Sequence, residues 1–346
     1  MANKEKKPVA LVCGIGGQDG AYLSAWLLSK GYEVVGTSRD ASIVNRNGLR
    51  SLNVEDKVRV VSMASNDFRS VLQTLSRISP DEIYNLAGQT SVGLSFEQPV
   101  EAIESIAIGT LNLLEAIRFI GTPVRFYSAG TSECFGDTGA QVANEITPFR
   151  PRSPYAVAKA CAHNLVANYR ESYKMHACTG ILFNHESPLR PERFVTQKII
   201  QSAAKIAAGS TDTLSLGNLC ICRDWGWAPD YVQAMWLMLQ SETPQDYVIA
   251  TGKTVSLEYF VDKSFSYFGL NWRKHVVTDD SLLRPSDITY GAADPSLAEV
   301  GLGWTAKHNV DDVILAMCRH ASERYGRNQR RDVDVVQHSI TTLAIV

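Results

Sequence analysis

Two features of the chain predict an α/β fold, a doubly wound parallel sheet with a smaller C-terminal lobe. Short apolar runs alternate with longer helical patterns through the first half of its 346 residues. Near Phe183 that rhythm breaks, and prolines, arginines and aromatics become more frequent. Strict alternation of this kind places parallel strands side by side under helices on both faces. The length agrees, being too great for one small domain and suited to one large or two closely joined units.

The elements follow in order. Val9–Cys13 is a buried-strand run, and a glycine-rich turn leads from it into an amphipathic stretch over 21–29 that Gly31 stops. Further strands are expected at 33–37, Val58–Ser62, 82–86 and 124–128. Between them lie helical patterns at Phe68–Ile78 and 100–120, the latter apolar at Ile103, Ile106, Leu111, Leu114 and Ile117. A helix over 153–173 and a strand over 178–183 complete a first unit spanning 1–183. Residues 184–326 read mainly as a second lobe, with segments returning to the first unit. Residues 327–346 open with RNQRRD and read as a flexible tail.

Composition narrows the function. With 34 basic against 36 acidic side chains the net charge is −2, which leaves no footprint for nucleic acid or a membrane surface. No run approaches the roughly 20 apolar residues that span a bilayer. The start, MANKEKKP, is polar and leads into an apolar run too short for a signal-peptide core. Seven cysteines are scattered without framework spacing. Cys220 and Cys222 have no second Cys or His pair near them in sequence to complete a zinc site. The expectation is a soluble cytoplasmic protein with reduced thiols and no metal.

The turn after the first strand reads Gly14-Ile15-Gly16-Gly17-Gln18-Asp19-Gly20. Glycines at 14, 17 and 20 permit, in order, a tight turn, close approach of a diphosphate, and close helix–strand packing; the diphosphate then sits on the helix N-terminus. A glycine triplet alone is no more than a sharp turn, but a strand before and a helix after make this a Rossmann-type dinucleotide site. At the end of the second strand stands Thr37-Ser38-Arg39-Asp40. An acidic residue there accepts from the ribose of NAD, whereas Arg39 suits the 2′-phosphate of NADP; NADP is favoured, with Asp40 placed either to pair with Arg39 or to repel the phosphate.

Tyr155 and Lys159 stand four residues apart, on one face of a helix. A phenol with a pKa near ~10 becomes a useful base only beside a cation, which Lys159 supplies. Upstream, Thr131 and Glu133 follow the fifth strand, at the sheet edge where ligands bind in open α/β folds. A hydroxyl at Thr131 polarises a sugar oxygen, and a buried Glu133 removes a proton next to a carbonyl. The plainer alternative is that both residues brace the following loop.

GIGGQDGAYL, NLAGQTSVGLSFEQP, TPFRPRSPYAVAK, NYRESYKMHACTGILFNHESP, FVTQKI, RDWGWAPDYV and EVGLGW together resemble the blocks of the GDP-mannose 4,6-dehydratases, within the extended short-chain dehydrogenase/reductases. The resemblance runs from about Lys7 to Arg319. It implies Thr131, Glu133, Tyr155 and Lys159 as the catalytic set. It implies cofactor contacts from Gly14, Ile15, Gly17, Gln18, Asp19, Arg39, Leu86, Ala87, Gln89, Lys159, His185 and Arg190, with Tyr155 beside the cofactor. Substrate contacts would come from Asn184, Val195, Lys198, Gly217, Asn218, Arg223, Arg284 and Asp287. The implied reaction oxidises a GDP-linked sugar at C4, eliminates water across C5 and C6, and returns the hydride to C6, in a homodimer or homotetramer. Asp40, Ala64-Ser65, Leu189 and Pro191 depart from the family pattern, around the cofactor rim and the substrate pocket. A GDP-sugar epimerase or 4-ketosugar reductase of the same fold, or a non-enzymatic NADP-binding sensor or scaffold, are the competing readings; a simple reductase has no use for a carboxylate base at C5.

Overall fold

The computed structural model describes residues 7–139 and 141–331. Its strands are β1 (Val9–Cys13), β2 (Glu33–Ser38), β3 (Val58–Ser62), β4 (Glu82–Asn85), β5 (Arg125–Ala129), β6 (Ala177–Leu182), β7 (Asn184–Glu186), β8 (Leu214–Leu216), β9 (Cys222–Trp227), β10 (Tyr247–Ile249), β11 (Thr254–Ser256) and β12 (Val276–Thr278). Helices of the first half are α1 (Gln18–Ser29), α2 (Asn47–Ser51), α3 (Phe68–Ile78), α4 (Val92–Glu97), α5 (Pro99–Ala102), α6 (Gly109–Ile120) and α7 (Pro154–Tyr173). Those of the second half are α8 (Val195–Ala207), α9 (Ala228–Gln240), α10 (Leu257–Tyr267), α11 (Ser296–Leu302) and α12 (Val310–Arg331).

The main sheet has seven strands in the order β10-β6-β5-β4-β1-β2-β3, all parallel. The order reverses between β1 and β4, and the crevice outside the carboxyl ends at such a switch is where ligands bind. Alternation along the strands feeds two cores. Ala10 and Val12 of β1 face a layer containing Leu23, Leu27 and Met235 from α1 and α9, while Leu11 and Cys13 face Val71, Leu113 and Val166 from α3, α6 and α7. Both faces of the sheet are therefore covered, as the near-continuous apolar strands require.

The C-terminal lobe has a core of its own, where Ile199, Phe260, Ile314 and Met317 from α8, α10 and α12 surround Trp225 of β9. Its small sheets run β11-β9-β7 and β12-β8. Segments of the second half do return: β10 pairs with β6, and α9 packs on α1.

Strand positions agree with the sequence to within a residue. The helix expected over 100–120 is interrupted, for a π-helical turn, Ile103–Ile108, separates α5 from α6. Apolar residues fall on one face on both sides of the bulge, so the periodicity conceals it. The expected tail overlaps the end of α12, and residues beyond Arg331 lie outside the described residues. No helix of the described residues is long and apolar enough to cross a membrane.

Candidate active site

The site opens at the strand ends around the switch. Gly14 leaves β1 at φ +88°, and a Cβ there would stand 2.9 Å from the Leu86 carbonyl carbon. A Cβ on Gly20 would come within 2.5 Å of the Gly14 oxygen, so α1 seats against the turn only because Gly20 has none. Gly17 differs: its Cβ would meet Gly14 alone, at 3.4 Å, leaving the space above it open. Gly17 also caps α1 without a side chain, so the first-turn N–H groups have no side-chain acceptor among the described residues. An open cradle over unsatisfied donors fits the diphosphate of a dinucleotide. The Ile15 side chain points into the core, leaving its backbone for a ligand.

Gln18 and Asp19 tie this turn to β7. Gln18 Nε2 donates to the His185 carbonyl at 3.1 Å, and Ser187 Oγ donates to Gln18 Oε1 at 2.7 Å. His185 Nε2 lies 3.0 Å from Asp19 Oδ2, and its ring stacks on Tyr231. Burial pushes the Asp19 carboxyl up, but the charges and hydrogen bonds of His185, with Gln18 and Arg190, outweigh it and bring it down to about 2. Arg39 is 79% exposed and meets Glu101 at 3.3 Å. Asp40 does not pair with it; its carboxylate accepts from the N–H and hydroxyl of Ser42 at 2.8 and 2.6 Å. After β4, Leu86 borders the cleft, the half-buried Ala87 packs against the core and the Gln89 N–H donates to Ser105 Oγ at 3.2 Å.

The cleft itself has a volume of about 370 Å³. One wall is carried by β5 and α7. Thr131 caps the 3-10 turn Ser132–Phe135, accepting from the Glu133 N–H at 3.3 Å, so it braces the loop while its residue also lines the cleft. Ser153 caps α7 by accepting from the Ala156 N–H at 3.1 Å, and Pro154 fills the first helical position. That start sets Tyr155 and Lys159 on successive turns facing the cleft. Lys159 Nζ donates to the Ala129 carbonyl at 2.6 Å and stands 5.9 Å from the Tyr155 ring centroid. Burial lowers the Lys159 ammonium to about 8. It raises the Tyr155 phenol, against which a hydrogen bond from Thr131 works. It also raises the Glu133 carboxyl, opposed by the charges of Arg223 and Arg284 and reinforced by Asp287.

The C-terminal lobe supplies the opposite wall. Asn184, His185 and Arg190 leave the end of β6 and β7; Val195 and Lys198 start α8; Gly217 and Asn218 follow β8. Lys198 Nζ is held by the Ser215 carbonyl at 2.7 Å. Arg223 is buried and reaches Asp287 at 3.4 Å, and Arg284 reaches the same carboxylate oxygen at 3.4 Å. Thus every expected catalytic and substrate residue borders one cleft, whereas Gly14, Ile15, Gly17, Gln18, Arg39, Ala87 and Gln89 lie along the adjoining strand ends. Sequence reasoning missed Glu186. This buried carboxylate lines the cleft, accepts from Thr196 Oγ1 at 2.8 Å and forms a 3.1 Å ion pair with Arg190 whose angle falls short of a hydrogen bond. Its only local signal was the spacing Glu186–Arg190, one turn of a helix that does not form there.

Fold and site together define an NAD(P)-dependent nucleotide-sugar enzyme of the extended short-chain dehydrogenase/reductase class. The profile of the GDP-mannose 4,6 dehydratase family matches residues 11–317. GDP-mannose 4,6 dehydratase 1 of Arabidopsis thaliana is 46% identical over 321 residues, covering 90% of this chain and 89% of the relative. The GDP-mannose 4,6-dehydratase of Vibrio cholerae is 41% identical over 345 residues, covering 90% and 92%. The chain belongs to the GDP-mannose 4,6-dehydratase family. Among solved structures, a Thermus thermophilus UDP-glucose 4-epimerase complexed with NAD superposes with a TM-score of 0.79 at 25% identity, covering 90% of this chain and 98% of that one. A dTDP-glucose 4,6-dehydratase from Bacillus anthracis, in complex with NAD, gives 0.78 at 19% identity, covering 93% and 98%, a likeness of fold.

Proposed function

We propose that this protein is an NADP-dependent GDP-sugar 4,6-dehydratase acting on GDP-mannose or a related GDP-manno-heptose. One observation carries the reading: Glu133, a carboxylate raised by burial, borders the same cleft as the Tyr155–Lys159 pair and two arginines. Reduction of a 4-ketosugar needs the Tyr–Lys pair alone, whereas elimination across C5 and C6 needs a base at C5 as well.

The Gly14–Asp19 turn, Arg39, the Leu86–Gln89 strand end, Lys159, His185 and Arg190 would hold the dinucleotide. When bound, it supplies a hydride acceptor for C4 and later a hydride donor for C6. Ser38 in place of an acid at the end of β2, and Arg39, which pairs with the surface residue Glu101 and not with Asp40, support the 2′-phosphate form. Tyr155 takes the proton of the sugar 4-hydroxyl, with Thr131 bonded to the same oxygen and Lys159 charged beside it. The resulting ketone acidifies C5, whose proton passes to Glu133 while the C6 hydroxyl takes a proton from an acid of the site and leaves as water. Arg223 and Arg284 face the diphosphate of the substrate, and Asp287 accepts from guanine N–H groups. Val100, Phe119, Val157 and Tyr173, exposed apolar residues on α5, α6 and α7, support a homodimer or homotetramer. The enzyme works in the cytoplasm, where its seven free thiols stay reduced.

Incubation with GDP-mannose and with GDP-manno-heptose, without added NADPH, tests the reading by mass spectrometry. Loss of one water from either sugar nucleotide is the expected result, and Glu133→Gln should slow it by orders of magnitude. Intact substrate in both incubations overturns the proposal.

A further inference from the structure

Behind Glu133 lies a second, much smaller chamber. Ser132, Glu133, Phe183 and Arg223 border both this chamber and the main cleft, so they form the wall between the two. Its volume of about 10 Å³ matches the lower end of the roughly 10–15 Å³ that one water molecule needs. A buried water also needs polar partners, and the chamber offers an unmatched one. Thr138, which also lines it, has a buried Oγ1 with no hydrogen-bond partner among the described residues. The loop that carries it is pinned rather than loose. Asp137 accepts from the Thr289 N–H at 3.0 Å and from the Thr289 hydroxyl, and the Gly139 N–H donates back to Asp137 at 3.0 Å. Thr138 is therefore held at the chamber that Glu133 also lines, with a hydroxyl that no atom of the described residues partners.

We propose that this chamber binds one water molecule, bridging the Thr138 hydroxyl and the Glu133 carboxylate. The water gives the proton captured from C5 an exchange route on the side away from the sugar. This rests on the dehydratase reading above. The step balances simply: the C5–H bond breaks, its proton forms an O–H on Glu133, and that proton exchanges with one of the water's own, which passes to solvent past the exposed Gly139. No electron or co-reactant enters. Thr138 acts through the water, as a positioning residue.

The surroundings of Glu133 fix the sign of the effect on pH. Arg223 from β9, Arg284 and Asp287 from the segment after β12, and Tyr155 with the neighbouring Cys134 are the groups that interact with it. Lys159 on α7 stands beside Tyr155, and Asp137 adds its charge near Arg223. A water donating to the carboxylate favours its charged form. Removing the water therefore moves the acid limb of the kcat profile to higher pH.

The test compares the wild-type enzyme with Thr138→Val and Thr138→Ser during dehydration in D₂O. Early in the reaction the wild type should place deuterium at C5. Thr138→Val should lower that incorporation several-fold and raise the acid limb, and Thr138→Ser should restore both. Unchanged incorporation together with an unchanged acid limb in Thr138→Val overturns the proposal. A high-resolution crystal structure of the wild type supplies an arm that needs no turnover: density for a water within hydrogen-bond reach of both Thr138 Oγ1 and Glu133 supports it, and a dry chamber overturns it. Should the wild type release no water from either GDP-sugar, the dehydratase reading falls, while the crystallographic arm still decides whether the chamber binds water.

Discussion

On the sheet side of the cleft, Lys159 is tied to a strand carbonyl at 2.6 Å, and α7 is started by a capping serine and a proline. On the lobe side, Arg284 belongs to an exposed segment and shares the Asp287 carboxylate with Arg223 at 3.4 Å, long for charge-assisted contacts. One wall is thus set by backbone and burial before any ligand arrives. The other is set by opposite charges that a phosphate can replace. On the proposed function the difference separates chemistry from recognition: groups that move protons need fixed geometry, whereas groups that grip a diphosphate need exchangeable partners.

The largest expected effect strikes the fixed wall. Glu133→Gln keeps the shape and removes the base, so turnover of the GDP-sugar should fall by about 10²–10⁴-fold with KM little changed. Initial rates measured by water loss check this. Turnover close to that of the parent protein would make Glu133 a brace for its loop and dissolve the distinction between the walls.

The same wall predicts a bell-shaped kcat profile. Glu133 must be ionised to take a proton, and burial raises its pKa, so activity should climb with pH through that raised value. Lys159 must be charged, and burial lowers it to about 8, so activity should fall as pH passes that point. Rates across the pH range, at saturating substrate, read both limbs. A flat alkaline side would show that the Lys159 charge does not control the Tyr155 hydroxyl.

Asp287→Asn tests the exchangeable wall. An amide there keeps the shape but loses the carboxylate that, on the proposed function, accepts from the guanine N–H groups, and this loss outweighs the release of Arg223 and Arg284 for the diphosphate. We expect KM for the GDP-sugar to rise about tenfold, equivalent to about 1.4 kcal/mol, with kcat within a few-fold of the parent. A fall in kcat larger than the rise in KM would mean that this wall also holds the reacting atoms.

The contrast also explains what could be read beforehand. Strand ends were legible because β1, β2 and β5 are short apolar runs bounded by glycine or serine, and Gly14 and Gly20 mark contacts that no Cβ tolerates. Tyr155 and Lys159 were legible as neighbours on one helix. Arg223, Arg284 and Asp287 were not, since some sixty residues separate the first from the others and no local period links them; only the family resemblance brought them together. The π turn at Ile103–Ile108 was hidden by apolar spacing that survives a one-residue bulge. Glu186 and Thr138 were invisible because their meaning lies in burial, a property that no residue carries alone.

Arg39 should give the smallest effect. It lies on the sheet side, yet its partner Glu101 is a surface residue, so it belongs with the exchangeable groups. A pair this exposed contributes about 0–1 kcal/mol, and a 2′-phosphate that displaces Glu101 trades one solvated contact for another. Arg39→Ala should therefore weaken NADPH binding by only about three- to tenfold and leave NADH unaffected, with the loss shrinking at high salt as the charges are screened. Fluorescence titration of both cofactors at two ionic strengths measures this. Equal losses for NADPH and NADH would place Arg39 away from the 2′-phosphate and remove the residue on which the proposed NADP preference chiefly rests. A loss of several hundredfold for NADPH alone would instead show that bound cofactor buries Arg39, moving it from the exchangeable set to the fixed one.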